Sequence, residues 1–131
     1  MNIFYEKKSD NSKERTIQKL KEELMKVGFG VLWEINFKSK FKEKGFDYDY
    51  DFWVFEVCNP KLAIEVLEYN QKAGYMLPCK MSVYENENGL FIGLTKPSEL
   101  MGLLDDSKEL KEMASKVEET LKGVVDSVVM S

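Results

Sequence analysis

Residues 52–60 read FWVFEVCNP, an apolar run that ends in residues suited to begin a helix. From Asp51 to Cys58 hydrophobic side chains fall on both faces of the run, which is typical of a strand inside a sheet. Asn59 is a favoured N-cap and Pro60 a favoured first helical residue. The stretch therefore predicts a central strand followed at once by a helix, which we expect to reach about Tyr69.

The segments before this strand–helix junction predict a strand, a helix and a second strand. A short strand is expected over residues 2–6, and a helix from the capping residues 9–12 to about Val27. Residues 29–37 carry apolar side chains at every odd position, including Trp33, which predicts a strand with one buried face. Residues 38–44 are expected to form a short helical turn.

The segments after the helix that ends near Tyr69 predict a hairpin and two further helices. The hairpin is expected over residues 77–95, with its turn at 85–89, and a short helix over 96–103. Asp106 and Glu109 resemble a capping box at the start of the last helix. Six apolar residues are predicted to line the buried face of that helix: Leu110, Met113, Val117, Leu121, Val124 and Val128.

The element order β-α-β-β-α-β-β-α predicts a single α+β domain over residues 1–131. We expect a two-layer sandwich in which a mostly antiparallel sheet carries its helices on one face. The last helix ends in the apolar run VVDSVVM at residues 124–130. We expect this run to pack on the sheet, and the alternative is a contact with a second subunit.

Composition narrows the classes of partner. The chain has 131 residues, 44% of them hydrophobic, and a net charge of −4, which disfavours a nucleic-acid partner because phosphate binding needs a basic surface. The first residues become charged too early for a signal peptide, and no apolar stretch approaches the length of a membrane span. We expect a cytoplasmic protein without a membrane partner, in which two cysteines stay reduced.

The absence of histidine excludes many catalytic and metal sites. Serine and cysteine triads that use histidine, and histidine zinc sites, are removed, so acid–base chemistry would fall to Asp, Glu, Lys, Tyr or Cys. Two cysteines cannot complete a tetrahedral zinc site within one chain, although four across a dimer could. We expect no metal site, no cofactor and no catalytic residue.

Three short motifs in a fixed order carry a family resemblance. They are GFGVL at residues 28–32, VCNP at 57–60 and LPC at 77–79, followed by the long final helix. Together they resemble the prokaryotic family known as domain of unknown function 302, DUF302, over about residues 11–125. The resemblance implies a TATA-binding-protein-like α+β fold that self-associates, and it implies no established activity. The residues that match the family pattern are Gly30, Cys58, Asn59, Pro60, Pro78 and Cys79.

The two cysteines allow several interpretations. Cys58 precedes a helix start, whose partial positive charge can stabilise a thiolate, but it can equally be a small buried hydrophobic residue. Cys79 shares the expected core face of its strand. A strand–helix–strand crossover normally gives parallel strands, which would separate the cysteines by ~15 Å, beyond the reach of a disulfide. Antiparallel strands would remove that objection.

These observations favour a homodimeric, non-catalytic module that binds a small apolar or anionic ligand. Six residues are candidates for the ligand site: Cys58, Asn59, Pro60, Cys79, Trp33 and Trp53. The tryptophans also fit the core of the domain. Two alternatives stay open, namely a redox sensor or nucleophile centred on Cys58, and a purely structural subunit that buries an apolar patch in an oligomer.

Overall fold

A computed structural model describes residues 2–131. Within them, five strands form one antiparallel sheet with the spatial order β1-β5-β4-β3-β2. The strands are β1 (Phe4–Ser9), β2 (Gly30–Asn36), β3 (Phe52–Cys58), β4 (Cys79–Asn86) and β5 (Gly89–Thr95). The predicted α+β sandwich is confirmed, and β3 lies inside the sheet.

Two long helices cover one face of the sheet, and the shorter helices lie at its edge and one end. The helices are α1 (Lys13–Lys26), α2 (Phe37–Glu43), α3 (Pro60–Tyr69), α4 (Pro97–Leu104) and α5 (Lys108–Met130), with a 3₁₀ helix at Gln71–Met76. Leu20 and Leu24 of α1 pack with Phe55 and Met81 of the sheet in the main core. No helix within residues 2–131 combines the length and the hydrophobicity that crossing a bilayer requires.

The apolar end of α5 packs on the sheet, as expected. Leu121, Val125 and Val128 are fully buried in the same core as the strands. The start of α5 differs from the prediction by one residue. Ser107, not Asp106, is the N-cap, because the Ser107 hydroxyl accepts a hydrogen bond of 3.3 Å from the Leu110 amide.

A bulge in β2 changes which way Trp33 points. Val31 pairs with Val57, but Trp33 pairs with Glu56, so the register shifts between Val31 and Trp33. The bulge residue breaks the alternation along the strand. Trp33 therefore lies on the face away from α1 and α5, with 50% of its surface exposed, and the predicted single apolar face of residues 29–37 is wrong beyond Val31.

Strands β3 and β4 are antiparallel, which removes the parallel crossover considered from the sequence. The chain leaves β3 through α3 and returns through the 3₁₀ helix, so β4 begins at the end of the sheet where β3 finishes. Val57 pairs with Cys79 in this register. Cys58 and Cys79 are therefore close neighbours in the fold, and both are free thiols.

Candidate functional site

Three of the predicted ligand residues meet around a small cavity. Cys58, Asn59 and Cys79 line a space of about 30 Å³, closed by Phe29, Leu62 and Pro78 among others. A volume of this size accommodates about one water molecule. The helix start after Cys58 is therefore too tightly packed to hold an organic ligand.

Asn59 and Pro60 build the start of α3. The Asn59 side-chain oxygen accepts a hydrogen bond of 3.2 Å from the Leu62 amide, and Pro60 occupies the first helical position, which confirms the predicted cap. The Asn59 amide nitrogen lies 3.1 Å from the point where a Cβ on Gly28 would stand. Asn59 thus caps α3 through its side-chain oxygen, while its amide nitrogen lies close to Gly28.

Burial raises the pKa of both cysteine thiols. It raises the pKa of Cys58, which is the opposite of the direction expected from the helix start. Burial, with a smaller contribution from nearby Cys58, raises the pKa of Cys79 to about 11. Both shifts favour the protonated thiol, whereas the thiol alternative requires an acidic Cys58.

A larger cavity of about 450 Å³ opens on the other side of the Leu77–Pro78 segment. We call it the Cys79 cavity. It lies between the 3₁₀ helix, α4 and the ends of β4 and β5, and its volume is in the usual range for small-molecule sites. Its lining consists of Glu56, Val66, Tyr75, Met76, Leu77, Pro78, Cys79, Lys80, Thr95, Pro97, Leu100, Met101, Ala114 and Val117.

The interior of the Cys79 cavity is apolar and its rim is charged. Val66, Met101 and Ala114 are buried, whereas Lys80 is exposed and Glu56 is partly exposed. Glu56 and Lys80 stand directly opposite each other on β3 and β4. This arrangement suits an apolar molecule that carries a polar or charged group at one end.

A buried carboxylate anchors α4, which forms one wall of the cavity. Glu118 of α5 is 7% exposed and accepts hydrogen bonds from the Ser98 amide at 3.1 Å and the Ser98 hydroxyl at 2.6 Å. Lys122 lies 3.0 Å from its other oxygen. Burial alone would raise the pKa of Glu118, but the hydrogen bonds from Ser98 and Lys122 lower it below its usual value. The ionised carboxylate therefore holds the start of α4 against α5.

The two tryptophans lie apart from both cavities. Trp53 packs against the main core on the helix-covered face. Trp33 is on the opposite face. It pairs with Glu56, which lines the Cys79 cavity, but does not line the cavity itself. Of the six predicted residues, only Cys79 lines the Cys79 cavity.

The uncovered face of the sheet carries an aromatic row that sequence reasoning missed. Four rings follow one another, with centroids 5.7, 4.9 and 5.4 Å apart: Phe37, Phe52, Tyr84 and Phe91. The last three rings are stacked, and Phe37 is tilted by 41° against Phe52. We call this row the aromatic ridge. Burial and the hydrogen bond to Glu6 raise the pKa of Tyr84 to about 12. Stacking between Phe52, Tyr84 and Phe91 therefore covers part of each of these rings.

A groove of about 600 Å³ runs beside the aromatic ridge. Val54, Ser82 and Gly93 stand side by side on β3, β4 and β5 and form its floor. Lys80 and Thr95 lie on its far side and also line the Cys79 cavity. The signal in the sequence was the apolar residues Phe52, Tyr84 and Phe91 at positions that face away from the core.

Comparisons with known proteins agree on the family. A crystal structure of an uncharacterized conserved DUF302 protein from Bacillus stearothermophilus is similar, with a TM-score of 0.91 and 37% sequence identity over 96% of this chain and 98% of that chain. Comparison with curated proteins finds no match. The model of the family described as "Domain of unknown function DUF302" matches residues 5–128. The chain therefore belongs to the DUF302 family.

Proposed function

We propose that the protein is a non-catalytic module that binds a small apolar or anionic ligand in the Cys79 cavity. The observation that carries the proposal is an apolar space of about 450 Å³ with a lysine at its rim. Burial of a ligand's apolar part against Met76, Leu77 and Met101 supplies the affinity. Lys80 supplies a charge for an anionic group. This site replaces the helix start at Cys58, whose cavity of about 30 Å³ is too small.

A screen of small carboxylates and neutral apolar molecules by thermal shift tests this proposal. Leu100 lines the cavity and is partly exposed, so Leu100→Trp is expected to fill the space from its rim. Leu103 lies on the same helix with 66% of its surface exposed, so Leu103→Trp is the matched control. We expect ligands that raise the Tm of the wild type and of Leu103→Trp but not of Leu100→Trp. Ligands that raise all three equally would contradict the proposal.

We also propose that the protein is a homodimer, formed by two uncovered sheet faces. The aromatic ridge and the groove lie side by side on this face. A two-fold axis that runs between them, parallel to both, would place the ridge of each chain in the groove of its partner. Phe4 and Trp33 stand on the two edge strands of this face with 59% and 50% of their surfaces exposed. Burial of these side chains would favour association. A purely structural subunit would also require a contact between two chains.

Light scattering after size exclusion tests the dimer. We expect a wild-type mass of about twice the chain mass of 15.2 kDa. Charged substitutions at the face, Phe4→Glu and Trp33→Lys together, are expected to give the monomer. Met25→Lys is the control, because Met25 is 77% exposed on α1. A monomeric wild type at concentrations of about 100 μM would overturn the dimer and leave the ligand proposal standing.

Burial of the cysteines argues against the thiol alternative as a second function. A reactive cysteine requires a thiolate at neutral pH, and burial moves the pKa of Cys58 and of Cys79 upward. Two free thiols and a net charge of −4 remain the grounds on which we propose a cytoplasmic protein without a nucleic-acid partner.

A further inference from the structure

Two opposite charges meet at the rim of the Cys79 cavity. Glu56 and Lys80 are directly paired across β3 and β4, and both line the cavity. Their Cβ atoms are therefore about 5 Å apart. No ion pair joins the two side chains within residues 2–131, where ten such contacts occur elsewhere. Each charge is thus available to a ligand group.

The space behind this pair is apolar. Met76, Leu77, Leu100 and Met101 line it, and Met101 is 4% exposed. Unbranched methionine side chains adapt their shape to differing apolar groups. A ligand that uses the whole site therefore has one bulky hydrophobic part and, close together at one end, one positive and one negative group.

We propose that the ligand is a zwitterionic α-amino acid with a large apolar side chain. The proposal rests on the binding function proposed above and names its ligand class. Lys80 pairs with the ligand carboxylate, Glu56 pairs with the ligand ammonium group, and the side chain enters the cavity towards Met101. Thr95, which also lines the site, adds a hydroxyl at the rim.

Ligands with a single charge fit this rim less well. A fatty acid would pair with Lys80 but would bring its carboxylate beside Glu56, where like charges repel. A simple amine would pair with Glu56 but would bring its ammonium group beside Lys80, where two positive charges repel. Only a ligand with both charges matches both residues, and complementary charges at a binding site give specificity in this way.

A matched set of three molecules tests the proposal by calorimetry. L-Leucine carries both groups, 4-methylpentanoate lacks the ammonium group, and 3-methylbutylamine lacks the carboxylate. We expect L-leucine to bind the wild type at least about tenfold more tightly than either analogue, because a charge-assisted hydrogen bond contributes about that much.

Two variants test which charged group of the ligand pairs with Glu56 and which pairs with Lys80. Glu56→Gln is expected to weaken L-leucine about tenfold without weakening 4-methylpentanoate, and Lys80→Gln to weaken L-leucine without weakening 3-methylbutylamine. Lys111→Gln, on the exposed side of α5, is the control and is expected to change neither. A general loss of charge at the rim would not produce this crossed pattern.

The possible results separate this inference from the proposed function. If 4-methylpentanoate binds as tightly as L-leucine, and Leu100→Trp abolishes its binding, the amino-acid inference is overturned while the binding function stands. If L-leucine binds tightly but neither Glu56→Gln nor Lys80→Gln weakens it, the inference also fails. If none of these molecules nor an apolar dye binds the cavity, both proposals fail together.

Discussion

At the scale of single residues, burial raises the pKa of both cysteines. Cys58 directly precedes α3, where the helix start would favour a thiolate. Its pKa is nevertheless raised by burial, and that of Cys79 reaches about 11. The sequence predicted the position of Cys58 correctly, since Asn59 and Pro60 are strong local signals. It could not predict the pKa, which depends on packing by residues distant in the chain.

Alkylation of the native protein checks this account of the thiols. We expect Cys79 to react more slowly than Cys58, and both more slowly than a free thiol at pH 8, because only the thiolate attacks the reagent. Mass spectrometry of each cysteine peptide across a pH series measures the two rates. Fast reaction of Cys58 at pH 7 would instead revive the redox or nucleophile alternative.

Removing the charge of Glu118 is expected to destabilise the fold at neutral pH. The folded-state pKa of Glu118 is lowered, so its stabilisation is present above the unfolded value of about 4.3 and is lost as the pH falls through the folded pKa. We expect Glu118→Gln to reduce the free energy of unfolding by about 1 to 3 kcal/mol at pH 7.

Denaturant unfolding of Glu118→Gln and the wild type from pH 7 to pH 3 measures this effect. The difference between them is expected to shrink as the pH falls below about 4. Glu112→Gln, at an exposed position of the same helix, should stay close to the wild type throughout. A difference that stays constant over the whole range would contradict the assigned role of the Glu118 charge.

At the scale of elements, the sequence predicted those that carry strong local signals. The start of α3 follows from Asn59 and Pro60, and the packing of α5 from its repeated apolar residues. It missed one feature and left another open. The bulge at β2, which turns Trp33 outward, was not predicted, and the direction of β4 relative to β3, which is antiparallel, was left undecided. Both depend on pairing between strands, which a single strand's pattern does not contain.

Two glycine-to-alanine variants test the pairing of β1 with β5. A Cβ on Gly93 would stand 2.6 Å from the Tyr5 carbonyl oxygen, so Gly93→Ala must push β1 away. We expect a loss of about 1 to 3 kcal/mol in the free energy of unfolding. Gly123 lies within α5 with open space around it, so Gly123→Ala is expected to stabilise by about 0.5 to 1 kcal/mol. Thermal denaturation compares them, and equal effects would contradict the observed packing.

At the scale of the whole molecule, the Cys79 cavity is assembled from five separated parts of the chain. They are Glu56, Val66, the segment from Tyr75 to Lys80, the segment from Thr95 to Met101, and Ala114 with Val117. The sequence indicated a ligand site near Cys58 and Cys79, and Cys79 does line the cavity. The other walls could not be predicted, because they depend on how α4 and the 3₁₀ helix pack at the end of the sheet.

We propose that the Cys79 cavity binds a small apolar or anionic molecule. The most direct test is a fluorescence titration with 8-anilinonaphthalene-1-sulfonate, an apolar dye with one negative charge, on the folded wild type, Leu100→Trp and Leu103→Trp. We predict saturable binding at one site in the wild type and in Leu103→Trp, and its loss in Leu100→Trp. Equal binding by all three proteins, or no saturable binding by the wild type, would contradict the claim.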